Sequence, residues 1–267
     1  MDVSIREIAR EVTAVARRGQ VSMLAASLAY FGLSSLLPFV FLAAALLASA
    51  GSDAWTSRAT EVAVAVFGEE LGSTAAELVL SADVRLPSAV VGVALLLWGT
   101  LRLYRSTDRA FAAVYGERKS ASVLARFRDA TVVFATNAVA VVLVCGVGVW
   151  LPNSGAVPRG VAPLLLLGVL VAVFLPIFYV FPTPSVTLRE ILPGTVLAAT
   201  AWVAVSVGFR LYVGVAQAGT YGALGALLLA STWLYVGAAA TLLGAAYNAV
   251  LADRVDPDDE WVPTDYM

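Results

Sequence analysis

Histidine is absent from this chain, and cysteine and lysine occur once each. Each absence removes a class of chemistry. Without histidine there is no imidazole to act as general base, metal ligand or partner of a nucleophilic serine or cysteine. The single cysteine, Cys145, forms neither an intrachain disulfide nor a Cys-based zinc site, and it lies inside an apolar run. Charge is scarce too: 13% of the 267 residues are charged and 60% are hydrophobic, against roughly 25% and 45–50% in an average soluble domain. Only a bilayer gives that much apolar surface a place to go. The net charge of −2 says little about partners, because the two signs are segregated along the chain.

A helix that crosses a bilayer needs about 20 mostly apolar residues. Six stretches qualify, at 23–50, 88–103, 130–151, 161–181, 191–214 and 222–250. The sequence therefore predicts an all-α membrane bundle of six transmembrane helices, occupying residues 21–252. Between the first two spans, residues 53–83 are amphipathic and carry Glu61, Glu69, Glu70 and Glu77. That segment is too acidic to cross comfortably and reads as a helical cap on the outer face, divided near Gly68. Residues 1–20 read as a charged amphipathic helix with no cleavage-type site near its end, and 253–267 as an acidic tail.

Basic residues set the orientation. With six spans and the N-terminus inside, thirteen of the seventeen fall on inner segments. Arg58, Arg85 and Arg159 fall outside, and Arg210 lies near the outer end of the fifth span. By the positive-inside rule both termini face the cytoplasm, in a multi-pass protein of the plasma (inner) membrane. Pro38 and Pro176 lie within spans, where each removes a backbone donor and kinks its helix. Pro182 and Pro184 close the fourth span, and Pro193–Gly194 opens the fifth. Gly219, Gly222 and Gly225 stand three apart at the start of the sixth, a spacing that lets helix backbones approach closely. Ordinary packing accounts for them more simply than ligand contact. There is no internal repeat of the kind seen in inverted-repeat transporters.

Residues 89–115 hold the densest information. An apolar run passes, with no Pro or Gly after Gly99, into Arg102, Arg105, Asp108 and Arg109. On a helix the three arginines share one face, and Asp108 is placed to pair with Arg105. Two readings stand. The span ends near Leu103 and the arginines snorkel to cytoplasmic headgroups; or the helix continues and turns them towards an internal, water-accessible cavity that binds an anionic headgroup or solute. Arg210 either snorkels outward or pairs with an acid of the outer cap. Asn137 and Asn248 are polar groups at membrane depth, each explained by an interhelical hydrogen bond. Tyr30, Tyr212, Tyr221 and Tyr235 line a polar path or belong to interfacial belts. The candidate solute- or lipid-contact set is therefore Arg102, Arg105, Asp108, Arg109, Tyr30, Pro38, Arg210, Tyr221, Gly222 and Asn248. No catalytic, cofactor-binding or metal-binding residue is assigned. The expected partners are membrane lipids with anionic headgroups at the cytoplasmic face, not nucleic acid; a homo-oligomer or membrane partner protein stays open.

Four stretches in order resemble the YihY/BrkB family of multi-pass membrane proteins. They are residues 25–38 (AASLAYFGLSSLLP), 103–111 (LYRSTDRAF), Tyr179-Val180-Phe181-Pro182 with Arg189-Glu190-Ile191-Leu192-Pro193-Gly194, and 220–235 running on to 243–249 (LGAAYNA). The chain departs from the family where Glu is common and Ala246 stands, where Asn is common near Ala112, and where Trp is common and Leu188 stands. A role for that Glu in moving protons or cations does not transfer here. The resemblance implies a six-helix inner-membrane protein. Relatives carry a ribonuclease label and a virulence-associated, serum-resistance label. Three function classes follow: a transporter or lipid translocator; a structural or partner-binding membrane protein; and an enzyme. Metal-dependent RNA hydrolysis needs clustered His or carboxylate ligands, and here histidine is absent and the acids are scattered, so the non-enzymatic classes are preferred, with transport or translocation first.

Overall fold

The computed structural model describes residues 5–49, 57, 82–116, 131, 162–182, 186–215 and 222–255. Among these there is no strand. Six helices run in order: α1 (Ile5–Arg18), α2 (Val21–Ser49), α3 (Ala82–Tyr115), α4 (Ala162–Val180), α5 (Leu188–Val215) and α6 (Gly222–Leu251). The outer cap at 53–83 and the span at 130–151 lie outside the described residues. Among the described residues two stretches are long and apolar enough to cross a membrane, Leu188–Phe209 and Leu227–Leu251; Val21–Ser35 and Leu167–Val180 are shorter apolar helices. Only 28% and 17% of the two long apolar windows are buried. A core helix of a soluble protein would be mostly covered, so these windows have the exposure of surfaces that face lipid.

Local chemistry explains where the helices begin and end. Serine and threonine hydroxyls inside them bond back to the carbonyl four residues earlier, as Ser34 does to Tyr30, Thr195 to Ile191 and Thr241 to Gly237. This satisfies the hydroxyls without water. α1 turns into α2 through Gly19 and Gln20, the latter at φ 48°. α3 runs unbroken for 34 residues, about 51 Å, well over the roughly 30 Å of a hydrocarbon core. It stops at Gly116, whose φ of 74° is a left-handed cap. Pro38 and Pro176 both lie within continuous helix.

The fifth span begins earlier than the sequence reading placed it. α5 starts at Leu188, with Pro193 inside it. Thr187 caps the helix: its carbonyl accepts from the amides of Glu190 (3.1 Å) and Ile191 (3.2 Å), and its hydroxyl donates to the Glu190 carboxylate at 3.1 Å. The Thr-x-x-Glu box nucleates a turn before the proline is reached.

The chain divides into two compact units, one of residues 1–26, 107–208 and 236–267, the other of 27–106 and 209–235. In the first, Phe111 meets Phe178 edge-on at 5.7 Å and Phe181 at 5.6 Å, and Phe174 meets Trp202 at 5.9 Å. All six residues from Ala110 to Tyr115 are buried, so this end of α3 is covered on every side. α1 lies close against it: a Cβ on Gly19 would come within 3.1 Å of the Ala113 carbonyl oxygen. In the second unit α2 and α3 pack through small residues. Ser27 and Ser106 share a hydrogen bond of 3.0 Å, and a Cβ on Gly99 would lie 3.2 Å from that of Ser35. Buried Gly92, Gly99 and Ser106 recur every seven residues along this part of α3, a small-residue seam suited to close helix approach in lipid.

Candidate functional site

Along α3 the arginines are turned outward. Arg102 and Arg105 are exposed, as is Arg109 further along, while Asp108 is half-buried. The Arg102 guanidinium lies 4.7 Å from the centre of the Trp98 ring, one helical turn earlier. That cation–π contact restrains a side chain that would otherwise be mobile. Ser106, next to Arg105, faces the other way and is buried against Ser27. The helix thus separates its polar groups: small hydroxyls into the packing seam, guanidinium groups away from it.

Asn248 is treated in the opposite manner. It is 1% exposed. The Gly194 amide donates to its Oδ1 at 2.6 Å, and its Nδ2 donates to the Ile191 carbonyl at 2.9 Å. The side chain therefore bridges α6 to the segment of α5 around Pro193, where the proline has removed a backbone donor. Gly194 is required at this crossing. A Cβ there would run into the Gly244 carbonyl oxygen and lie 2.6 Å from Asn248 Cγ. About two turns further on, Trp202 Nε1 donates to the Thr241 hydroxyl at 3.1 Å, and its ring fills the space a Cβ on Gly237 would need.

The remaining predicted positions are dispersed. Tyr30 is 65% exposed and stacks edge-on against Phe31. Tyr212 is exposed and Tyr235 half-buried. Pro38 is half-buried within α2. Gly222 is the first residue of α6. Tyr221, Asn137 and the Arg210 side chain lie outside the described residues. Among the described residues no three His, Cys, Asp or Glu side chains are grouped to hold a metal.

The model of the family described as virulence factor BrkB matches residues 12–264, nearly the whole chain. The chain belongs to that family. Among curated BrkB-like relatives, a protein named "putative ribonuclease-like protein YfkH" from Bacillus subtilis (strain 168) is 34% identical over 107 residues, covering 39% of this chain and 38% of the relative. A protein named "UPF0761 membrane protein" from Xanthomonas oryzae pv. oryzae (strain PXO99A) is 37% identical over 93 residues, 34% of this chain and 22% of the relative. The alignments thus span about two fifths and about a fifth of those relatives' lengths. No solved structure matches the chain significantly. The protein is a membrane protein of the BrkB family with apolar helices.

Sequence reasoning missed part of this BrkB-family chain. Arg254 Nη2 meets Glu190 Oε2 at 3.0 Å, joining the end of α6 to the start of α5. The turn that brings it there is a Schellman motif: Arg254 N bonds Ala249 O at 2.9 Å and Asp253 N bonds Val250 O at 3.1 Å, with Asp253 at φ 52°. Tyr115 is buried beside this pair, and burial, with the Glu190 charge adding to it, pushes its phenol well above the usual range. The Thr187-x-x-Glu190 spacing was the readable signal. Ala246 is fully buried and Ala112 nearly so, whereas Leu188 is 59% exposed; the first two of the family departures therefore fall in packed surroundings.

Proposed function

We propose that this protein spans the inner membrane six times with both termini in the cytoplasm, and that it transports or translocates an anionic amphiphile. The observation that carries the reading is the outward face of α3, where exposed apolar side chains give way over about two turns to Trp98, Arg102 and Arg105. Tryptophan and arginine at the end of an apolar run fit a membrane–water interface, and arginine on the cytoplasmic side favours anionic headgroups. The reading assigns no catalytic group. The test is reconstitution into vesicles with a fluorescent anionic lipid, scored by protection of the label from an impermeant quencher. Wild type should accelerate exchange between leaflets, and Arg105→Ala should abolish it while inserting normally. Normal exchange by that variant would sink the assignment. Reporter fusions after residues 20 and 252 test the topology.

A second reading, a structural or partner-binding protein, has one observation in its favour. The polar group at membrane depth, Asn248, is spent on backbone partners within the packed helix pair. Vesicles in which wild type and empty membranes exchange lipid equally would favour this reading.

A further inference from the structure

The outward face of α3 has the order of parts of a single phospholipid. Val91, Leu95, Trp98, Arg102 and Arg105 follow one another at steps of four, three, four and three, which keeps all five within a narrow strip of the helix surface. All five are exposed: Val91 by 58%, Leu95 by 52% and Trp98 by 51%, with both arginines in the same class. Two apolar positions, an aromatic ring and two guanidinium groups stand in that sequence along the axis.

We propose that this strip is a binding site for one anionic phospholipid, its phosphodiester held by Arg102 and Arg105 and an acyl chain laid along Leu95 and Val91. The proposal rests on the reading above that this part of α3 crosses the membrane with Arg102 at the cytoplasmic edge. Three features carry it. Trp98 holds the Arg102 guanidinium, whose Cζ lies 4.7 Å from the ring centre, and a guanidinium held this way still has N–H donors for bidentate pairing with phosphate oxygens. The neighbouring seam holds the strip still, since Gly99 lies against Ser35 and Ser106 against Ser27. The apolar positions are continuous with the charged ones, which a soluble phosphate would not require but a lipid tail does.

The test uses the full-length protein in nanodiscs of phosphatidylcholine, with and without phosphatidylglycerol, and reads the lipid retained by native mass spectrometry after detergent extraction. Wild type should retain phosphatidylglycerol selectively. R102Q/R105Q should lose that selectivity by about 30-fold, from about 1 kcal/mol per basic residue near an anionic surface. W98A should lose about threefold and W98F less, since phenylalanine keeps part of the stacking. R102K/R105K keeps both charges without the planar fork, and should lose part of the selectivity; retention equal to wild type would overturn the two-fork site. R6Q/R10Q in α1 controls for general surface charge: a loss equal to that of the α3 variant overturns the proposal. Displacement of the lipid by inorganic phosphate would show a free-anion site and overturn it too. Selective retention without lipid exchange in vesicles would leave this site standing while removing the translocation reading. Exchange that survives R102Q/R105Q with retention lost would separate the two in the other direction.

Discussion

Asn248 and the Arg102–Arg105 pair are polar groups on otherwise apolar helices, and the protein treats them in opposite ways. Asn248 is buried and both ends of its amide bond the backbone of α5. The arginines are exposed, and the contact that orders Arg102 is an aromatic face on its own helix. An amide is neutral and can be satisfied by two backbone groups, so it serves as glue between helices. A guanidinium keeps its charge at any accessible pH and brings five donors, more than a packed helix pair can satisfy. The first belongs to the structure; the second is left available to the surroundings.

The largest expected effect breaks the glue side of this comparison. Gly194→Val places side-chain atoms where the Gly244 carbonyl and Asn248 already are. Overpacking at a backbone contact should cost about 3 kcal/mol or more. Unfolding in detergent, followed by circular dichroism, should show loss of the cooperative transition or a large drop in midpoint. A variant as stable as wild type would mean that α5 and α6 do not cross at this point.

Asn248→Ala should come next. It leaves the Gly194 amide and one bond to the Ile191 carbonyl unmade, a loss of about 1–2 kcal/mol. Thr195 also bonds the Ile191 carbonyl, at 2.7 Å, so the amide is the larger share. R102Q measured beside it should change stability by less than about 0.5 kcal/mol. Equal losses in the two variants would erase the distinction between glue and available charge.

The membrane setting was legible in composition, because no soluble core absorbs so much apolar surface, and the helical class in apolar runs of about 20 residues. Asn248 stood out as polar at membrane depth, but its partners are backbone groups 54 and 57 residues away in sequence. Nothing in a run of Ala, Gly and Leu marks Gly194 and Gly244 as the pair that touch, since small residues occur throughout the spans. Pro193–Gly194 reads as the opening of a span at 191, whereas α5 starts at Leu188. The hydrogen bonds of Thr187 form the cap that the Thr-x-x-Glu spacing encodes, and the helix begun there runs on through Pro193. The exposure of the arginines was a geometric question that spacing alone could not answer.

Alkaline pH tests how dry the first unit is where α3 ends. Tyr115 is 3% exposed, and burial followed by the Glu190 charge raises its phenol far above the ordinary value. In the unfolded chain the phenol ionises near pH 10. The folded value being higher, the stabilisation is complete below about pH 10 and is lost as pH rises beyond it, by about 1.4 kcal/mol per unit. Tyr115→Phe should flatten that alkaline slope and leave neutral stability within about 1 kcal/mol of wild type. An unchanged slope would place the phenol in contact with water.

The smallest effect is expected at the ion pair that joins the two helix ends. Arg254 and Glu190 are 33% and 27% exposed and 3.0 Å apart. A pair at the surface contributes little to stability, and less in high salt. Arg254→Gln should therefore lower the unfolding midpoint slightly in low salt, with the difference vanishing at high ionic strength. Glu190→Gln should lose somewhat more, because the same carboxylate accepts from the Thr187 hydroxyl at 3.1 Å and so also supports the cap of α5. If Arg254→Gln instead matched Asn248→Ala, the helix ends rather than the Gly194–Gly244 crossing would be what fastens α5 to α6.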